Sequence, residues 1–169
     1  MRTVDEYVAR APADVCFEVA ADVETWPRIL PHYRWVRFLR SDAFATGLVE
    51  MAAWRPFGPL GWPTWWVSEM KHDRARRTIA YTHVRGITAG MDVLWEVIPL
   101  AEDRSHIRIV HQWSGPPWPL IGGFASRGVI GPHFVSAIAG RTLAGVAREA
   151  ERRAAGGPAD RPIVEARAI

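Results

Sequence analysis

Hydrophobic and polar residues alternate along most of the first two thirds of the chain, with the period of two that is typical of half-buried β-strands. Turn-forming pairs such as Ser41-Asp42 and Arg85-Gly86 separate the alternating segments. The pattern predicts seven strands, at residues 3–9, 33–41, 47–55, 63–71, 78–85, 91–98 and 105–114. Because the last six follow one another with short connections, we expect an antiparallel meander.

Two parts of the chain have helical periodicity instead. Between the first two predicted strands, residues 12–21 and 23–30 predict two short helices, the first of which begins at Pro12. From about residue 119 to 154 apolar residues recur on one helical face, which predicts a long C-terminal helix. Gly131-Pro132 should break or bend that helix.

The length and composition of the chain fit one globular domain. The chain has 169 residues, of which 49% are hydrophobic and 23% are charged. We therefore predict a single α+β domain over residues 1–154. The aperiodic segment 155–169, which contains Gly156-Gly157-Pro158, is predicted to be a mobile tail.

Charge and cysteine content narrow the class of protein further. The formal charge is +3, but the basic residues are dispersed and form no continuous run, so nucleic-acid binding is not indicated. Cys16 is the single cysteine and is expected to be a buried, inert thiol, which favours a reducing, cytoplasmic location. The N-terminal residues 1–7 alternate like a strand, so no targeting peptide is expected there, and no transmembrane segment is expected because no apolar run reaches membrane-spanning length.

In most of the predicted strands, the charged positions indicate which of the two faces is the interior one. Glu50, Glu69 and Glu96, for example, mark solvent-facing phases, and their neighbours in the sequence then point inward. The strand at 78–85 is less clear, and there the bulkier set, Ile79, Tyr81 and His83, is assigned to the interior. The resulting interior surface is mostly apolar and aromatic, with a few polar side chains, as in a small-molecule site. Its candidate ligand-binding residues are Met51, Trp66, Ser68, Tyr81, Trp95 and Trp113, and its candidate catalytic residues are Arg55, His83 and His111.

Arg55 is the most informative of these residues, because a guanidinium cannot lose its proton to escape an apolar interior. It faces a ligand or a partner group there, or else it reaches solvent or a carboxylate from the end of its strand. His83 and His111 are proton carriers or hydrogen-bonded core residues. The histidines have neither the spacing of a metal site nor a nearby cysteine, so no metal and no cofactor are predicted.

The segment 54–66 is unusually apolar for the connection between two strands. It contains four of the nine tryptophans, together with Pro56, Phe57, Pro59 and Pro63. We predict a hairpin loop between the strands that end at residue 55 and begin at residue 63, where a loop is ordinarily polar, and a candidate contact surface at 56–65. Two interpretations stay open: a lid over the cavity, or a surface that touches a membrane or a partner protein transiently.

The N-terminal pattern resembles the opening of a known superfamily. It reads Ala11-Pro12-x-x-Val15, a short helix, then Asp22-x-x-x-Trp26-Pro27-x-x-x-Pro31. Many START-like, helix-grip proteins begin in this way, and this superfamily includes polyketide cyclase/aromatases and coenzyme Q-binding proteins. The resemblance implies a curved sheet that wraps around the C-terminal helix and encloses a cavity.

Three later segments resemble the corresponding strands of bacterial aromatic-polyketide aromatase/cyclases, so that the likeness covers about residues 3 to 152. They are Trp65-Trp66-Val67-Ser68-Glu69, Trp95-Glu96-Val97 and His111-Gln112-Trp113. In those enzymes an inward arginine, with nearby tyrosine and histidine groups, holds and polarises a poly-β-ketone chain for aldol ring closure and dehydration. The resemblance implies the arginine role for Arg55. The alternative function is a non-catalytic carrier of a lipid, quinone or isoprenoid, since the superfamily uses one cavity for both purposes.

Overall fold

The structure is a computed structural model. It describes residues 1–42, 46–57, 60–115 and 132–156, with the backbone alone at 55–57, 60 and 132–134. The predicted tail at 155–169 therefore lies outside the described residues, apart from Ala155 and Gly156.

Seven strands form one antiparallel sheet, which confirms the predicted α+β fold class. The strands are β1 (Arg2–Ala9), β2 (Tyr33–Ser41), β3 (Gly47–Phe57), β4 (Leu60–Asp73), β5 (Thr78–Gly86), β6 (Met91–Ala101) and β7 (Arg104–Trp113). Their order across the sheet is β1-β7-β6-β5-β4-β3-β2. The predicted meander runs from β2 to β7, and β1 then pairs with β7, so the first two strands of the chain lie at opposite edges.

The helices also follow the prediction. Helix α1 spans Ala13–Ala21, a 3-10 turn spans Val23–Thr25, α2 spans Trp26–Ile29, and the long C-terminal helix α3 spans Pro132–Ala154. The second predicted helix is divided because Trp26-Pro27 starts a new helical turn, where proline needs no N–H donor. Helix α3 begins directly after Gly131, and the predicted helical residues 119–131 lie outside the described part.

The alternation of burial along the strands confirms the predicted interior phase. In β5, Ile79, Tyr81 and His83 are buried, whereas their neighbours Ala80 and Thr82 are exposed. The residues predicted to point inward from β3, β4, β6 and β7 are also buried where their side chains are described, for example Met51, Trp66, Trp95 and Ile109. The concave face of the sheet is therefore the apolar one, as a helix-grip fold requires.

Helix α3 packs its apolar face against this concave surface. Leu143, Val146 and Ala150 are almost completely buried there. Gly145 allows α3 to approach the end of α2 closely, because a Cβ atom at Gly145 would lie 2.1 Å from Cδ2 of Leu30. The sheet, α2 and α3 together enclose the interior of the protein.

The hairpin loop predicted between residues 55 and 63 is strand in its described part, which corrects the sequence interpretation. β3 continues to Phe57 and β4 begins at Leu60, so that the described residues form a long two-stranded hairpin. The amide of Trp54 donates to the carbonyl of His32 at 2.7 Å, on the side away from β4. Pro63 lies opposite Trp54, and Pro56 lies two residues further along β3. The nitrogen atoms of both prolines therefore face the outer edges of the hairpin, where the absence of an N–H breaks no hydrogen bond between β3 and β4.

Candidate functional site

A cavity of about 70 Å³ lies between the concave face of the sheet and α3. Strands β2 to β7, α2 and α3 all contribute to its walls. The residues that line it are Trp26, Tyr33, Met51, Trp66, Tyr81, His83, Met91, Val93, Trp95, Ile109, His111, Val135, Ile138, Ala139 and Thr142. Six of the nine predicted site residues are in this set: Met51, Trp66, Tyr81, His83, Trp95 and His111.

Aromatic rings in contact with one another make up one side of the cavity. The ring of Trp26 packs edge-on against Tyr33, with centroids 5.1 Å apart, and lies 5.6 Å from the ring of Trp95. Tyr33 in turn meets Trp66 at 6.2 Å. Such a wall presents flat, apolar surface to a ligand.

Two buried hydroxyl groups have no hydrogen-bond partner among the described residues: the phenol of Tyr81 and the hydroxyl of Ser68. Burial, with a further contribution from Tyr33, raises the pKa of Tyr81, so this phenol keeps its proton and can act as a donor. An unsatisfied buried hydroxyl costs about 1–3 kcal/mol. Tyr81 lines the cavity, and an acceptor atom of a ligand would remove that cost.

The two candidate histidines are both on the cavity wall, and each is held through Nδ1. In His83 this atom is 2.6 Å from Oγ1 of Thr88, and the ring stacks on Trp66 with centroids 5.9 Å apart. In His111 it is 3.4 Å from Oγ1 of Thr3, a residue of the paired strand β1. These contacts orient the two rings from outside the cavity, and imidazoles held in this way can accept and return a proton.

The three other predicted site residues are placed differently. Ser68 and Trp113 are buried on the interior face but do not line the cavity. The indole of Trp113 donates to the carbonyl of Ala89 at 3.0 Å. The backbone of Arg55 lies in β3 opposite Trp62, in the same phase as Met51 and Ala53, and its side chain lies outside the described part of the structure.

The sequence analysis did not select His32, Tyr33, Thr142 or Trp26 as site residues. Thr142 of α3 lines the cavity, donates to the carbonyl of Ile138 at 2.9 Å and lies 3.0 Å from Nε2 of His32. Burial, and next the charge of Arg141, lower the pKa of His32 to about 4, so the imidazole is neutral at ordinary pH. The Trp26-Pro27 pair of the N-terminal motif could have indicated Trp26 as a site residue, but the prediction drew only the fold from it.

Other features bear on the remaining predictions. Among residues 1–42, 46–57, 60–115 and 132–156, no group of three His, Cys, Asp or Glu side chains could hold a metal ion. No helix in the same ranges has both the length and the apolar character needed to cross a bilayer. Cys16 is a buried thiol, as predicted, and burial raises its pKa to about 11.

A curved antiparallel sheet that wraps around a C-terminal helix and encloses an aromatic cavity defines a START-like, helix-grip protein. The family described as "Polyketide cyclase / dehydrase and lipid transport" matches residues 10–131, more than half of the chain, and the protein belongs to this family. None of the curated proteins matches the chain.

Solved structures agree with this assignment. The chain is similar to the Zhui aromatase/cyclase of Streptomyces sp. R1128, with 26% identity and a TM-score of 0.78 over 94% of this chain and 99% of the other. It is also similar to the di-domain ARO/CYC BexL of the BE-7585A biosynthetic pathway, with 22% identity and a TM-score of 0.66 over 89% of this chain and 46% of that protein. A START superfamily protein of Mycobacterium smegmatis has 15% identity and a TM-score of 0.65 over 92% and 97% of the two chains.

Proposed function

We propose that the protein binds a hydrophobic, carbonyl-bearing small molecule in the cavity and promotes its aldol cyclisation and dehydration, as a polyketide cyclase/aromatase does. The observation that carries the proposal is the phenol of Tyr81, a protonated donor on the wall of an aromatic cavity with no partner among the described residues. Similarity to the Zhui aromatase/cyclase, at 26% identity over 94% of the chain, supports it.

The proposed chemistry uses the polar groups of the cavity in distinct roles. Tyr81 donates a hydrogen bond to a substrate carbonyl and stabilises the enolate that forms when an imidazole, His83 or His111, removes the adjacent carbon-bound proton. The enolate carbon then bonds to a second carbonyl carbon, and the oxygen of that carbonyl takes up the proton. Loss of water from the resulting alcohol gives the unsaturated ring.

Arg55 and Ser68 have supporting roles in this proposal. The guanidinium of Arg55 would stabilise negative charge on the enolate or alkoxide oxygen. Ser68 does not line the cavity as it stands, and it would orient a carbonyl group after side chains on the wall have moved. Both residues are in the interior phase of their strands. Met51, Trp66 and Trp95 would form apolar walls, and Trp113 would support them from behind.

A substrate of polyketide size needs more room than the structure provides. Cavities for organic ligands are typically about 300–1,000 Å³, whereas this cavity measures about 70 Å³. Side chains on its walls must therefore move when such a ligand binds. We also propose that residues 1–154 form a single helix-grip domain and that the protein is cytoplasmic.

The alternative function is a non-catalytic carrier of a lipid, quinone or isoprenoid. The mostly apolar lining favours it, and the description of the family includes lipid transport. Native mass spectrometry of the purified protein distinguishes the two functions. A carrier retains a bound lipid or quinone. It converts polyketides only at the uncatalysed rate, both as the wild type and as the Tyr81→Phe variant.

The cyclase proposal is tested with Tyr81→Phe and Arg55→Ala, assayed on the products of a polyketide synthase mixture. We expect the yield of correctly cyclised product to fall about tenfold or more in each variant, because each loses an oxyanion-stabilising group. Tyr81→Phe should unfold at the same temperature as the wild type or a higher one, since it deletes an unsatisfied buried hydroxyl. Chromatography of the products and thermal unfolding provide the two measurements.

The matched control is Tyr7→Phe, which removes the same hydroxyl from a tyrosine that is 36% exposed on β1. Its products should equal those of the wild type. Cyclisation that is unchanged in both Tyr81→Phe and Arg55→Ala would overturn the proposed chemistry.

A further inference from the structure

We propose that the end of the β3–β4 hairpin is a docking site for an anionic lipid bilayer. The tryptophan hairpin, as we call it, comprises residues 54–57 and 60–65. The proposal concerns a surface outside the cavity and does not depend on which reaction, if any, the cavity supports.

The tryptophan hairpin projects beyond the strands on both sides of it. β2 pairs with β3 only as far as Ala53, and β5 pairs with β4 only as far as Trp66. From Trp54 and Pro63 outward, the described residues of β3 and β4 pair as strands with each other alone, although the amide of Trp54 still donates to the carbonyl of His32. A two-stranded projection of this kind can enter a soft surface without a clash from the rest of the sheet.

Large indole side chains are exposed on both faces of this projection. Trp62 is 61% exposed and is in the interior phase of β4, whereas Trp54 is 44% exposed and is in the outer phase of β3. Trp65, in the outer phase of β4 at the base of the projection, where β3 still pairs with β2, is 39% exposed. Tryptophan concentrates at the headgroup level of membranes because its ring is apolar and its N–H is polar.

The charges around the tryptophan hairpin favour an anionic surface. The guanidinium of Arg34 lies 4.7 Å from the ring centroids of both Trp35 and Trp54, which places a cation at the base of the hairpin. Arg85 is exposed where β5 ends. From Ala52 to Ser68 the sequence contains one arginine and no acidic residue.

The nearest carboxylate on the outer face, Glu50, is already occupied. It accepts hydrogen bonds from Nε of Arg37 at 2.5 Å and from the indole of Trp65 at 2.7 Å. The hydrogen bond from the indole of Trp65 contributes most to lowering the pKa of Glu50. The carboxylate therefore stays ionised, and its charge neutralises that of Arg37. Among the described side chains near the tryptophan hairpin, Arg34 and Arg85 are thus available to meet anionic headgroups.

A bilayer fits these observations better than a protein partner does. Exposed indoles on opposite faces of one ribbon need an environment that surrounds the ribbon, and lipid headgroups provide one. A flat protein surface, or a second copy of this chain, would cover one face and leave the other in water.

The test is co-sedimentation of the purified chain with vesicles of phosphatidylcholine alone and of phosphatidylcholine mixed with phosphatidylglycerol. We expect binding to the mixed vesicles that decreases as salt is added. The double variant Trp54→Ser/Trp62→Ser should lower the partition coefficient about tenfold or more. Arg34→Gln should lower it about fivefold on mixed vesicles and much less on neutral ones.

The control is Val8→Ser/Leu100→Ser, which removes two side chains that are each 51% exposed at the opposite end of the sheet. It should bind vesicles like the wild type. The proposal is overturned if the wild type ignores both kinds of vesicle, or if the tryptophan variant binds as well as the wild type.

Sedimentation without lipid gives one further outcome that would overturn the proposal. If the wild type self-associates and Trp54→Ser/Trp62→Ser is monomeric, the tryptophan hairpin is an interface between two copies of the chain. Vesicle binding needs no cavity ligand, so its failure is distinguishable from failure of the proposed cyclase activity.

Discussion

At the scale of single residues, His32 is a buried imidazole with a calculable effect on stability. Its pKa is lowered from 6.5 to about 4, chiefly by burial. Between these two values the unfolded chain binds a proton that the folded chain does not, so this contribution to stability is complete above pH 6.5 and is lost as the pH falls toward 4. Urea unfolding from pH 4 to pH 6.5 should show this loss.

The substitution His32→Gln isolates the effect of this imidazole from that of the acidic residues, which titrate nearby. Glutamine still offers an N–H to Thr142 but has no proton to gain. The free energy of unfolding of the variant should therefore fall less steeply over the same pH range. Parallel curves for the two proteins would show that His32 is not the group responsible.

The residues of the site were predictable wherever strand alternation applied. His111 follows from the period of two, because Arg108 marks the outer phase of its strand. Tyr81 and His83 follow from the same period only through bulk, since they belong to the bulkier phase of a strand that has no outward charged residue. Trp26 and Thr142 do not follow from it, since each lies on a helix whose orientation toward the cavity is set by long-range packing. The side chain of Arg55 lies outside the described part, and its role stays a prediction.

At the scale of elements, Gly86 is the residue that allows β5 to end against β4. It has φ +98°, and a Cβ atom there would lie 2.3 Å from the carbonyl oxygen of Trp65 and 2.7 Å from Cα of Trp66. Neither backbone atom can move without shifting the strand. We expect Gly86→Ala to lower the free energy of unfolding by about 3 kcal/mol or more, as measured by urea denaturation.

Gly90 provides the matched control, because it also has a positive φ, +82°, but has open space around it. The nearest atom to its added Cβ is Nε1 of Trp113 at 3.9 Å. Gly90→Ala should cost only about 1–2 kcal/mol, from backbone strain alone. Equal losses in the two variants would contradict the steric argument for Gly86.

The elements themselves were predicted well, with one instructive failure at the β3–β4 connection. Pro56, Pro63 and the nearby glycines have the composition of a loop, and the local sequence gives no reason to continue a strand there. The structure continues both strands because the hairpin extends beyond β2 and β5, so that each proline faces an open edge. Which edge is open depends on the ends of other strands, and no local pattern contains that information.

At the scale of the whole molecule, the cavity exists because α3 presents a small side chain to the sheet. Ala139 is 4% exposed and lines the cavity. Ala139→Leu would place three more carbon atoms in a volume of about 70 Å³. We expect this variant to keep or raise its free energy of unfolding and to lose binding of naphthol, an aromatic probe with one oxygen, as measured by tryptophan fluorescence.

The adjacent Gly140 is the control for that substitution. A Cβ atom at Gly140 would have no neighbour within 4 Å, so Gly140→Ala should stabilise α3 by about 1 kcal/mol through helix propensity. It should leave naphthol binding unchanged. If Ala139→Leu binds naphthol as the wild type does, the probe does not use this cavity.

The general architecture was predictable because the strand count, the two short helices and the terminal helical period all agree with one known fold. The size of the cavity was not predictable. It depends on how closely α3 approaches the sheet, and that distance is set by contacts such as Gly145 against Leu30. Sequence periodicity gives the face of an element but not the separation between two elements.

The position of β1 beside β7 has a consequence for synthesis on the ribosome. Thr3 and His111, whose side chains touch in the finished protein, are 108 residues apart in the chain. The first strand therefore has no strand partner until β7, the last strand, has been translated. Non-local pairing of this kind slows folding and exposes strand edges. Nascent chains that stop before β7 should be the forms that chaperones hold, because in them one side of the future cavity has not yet been made.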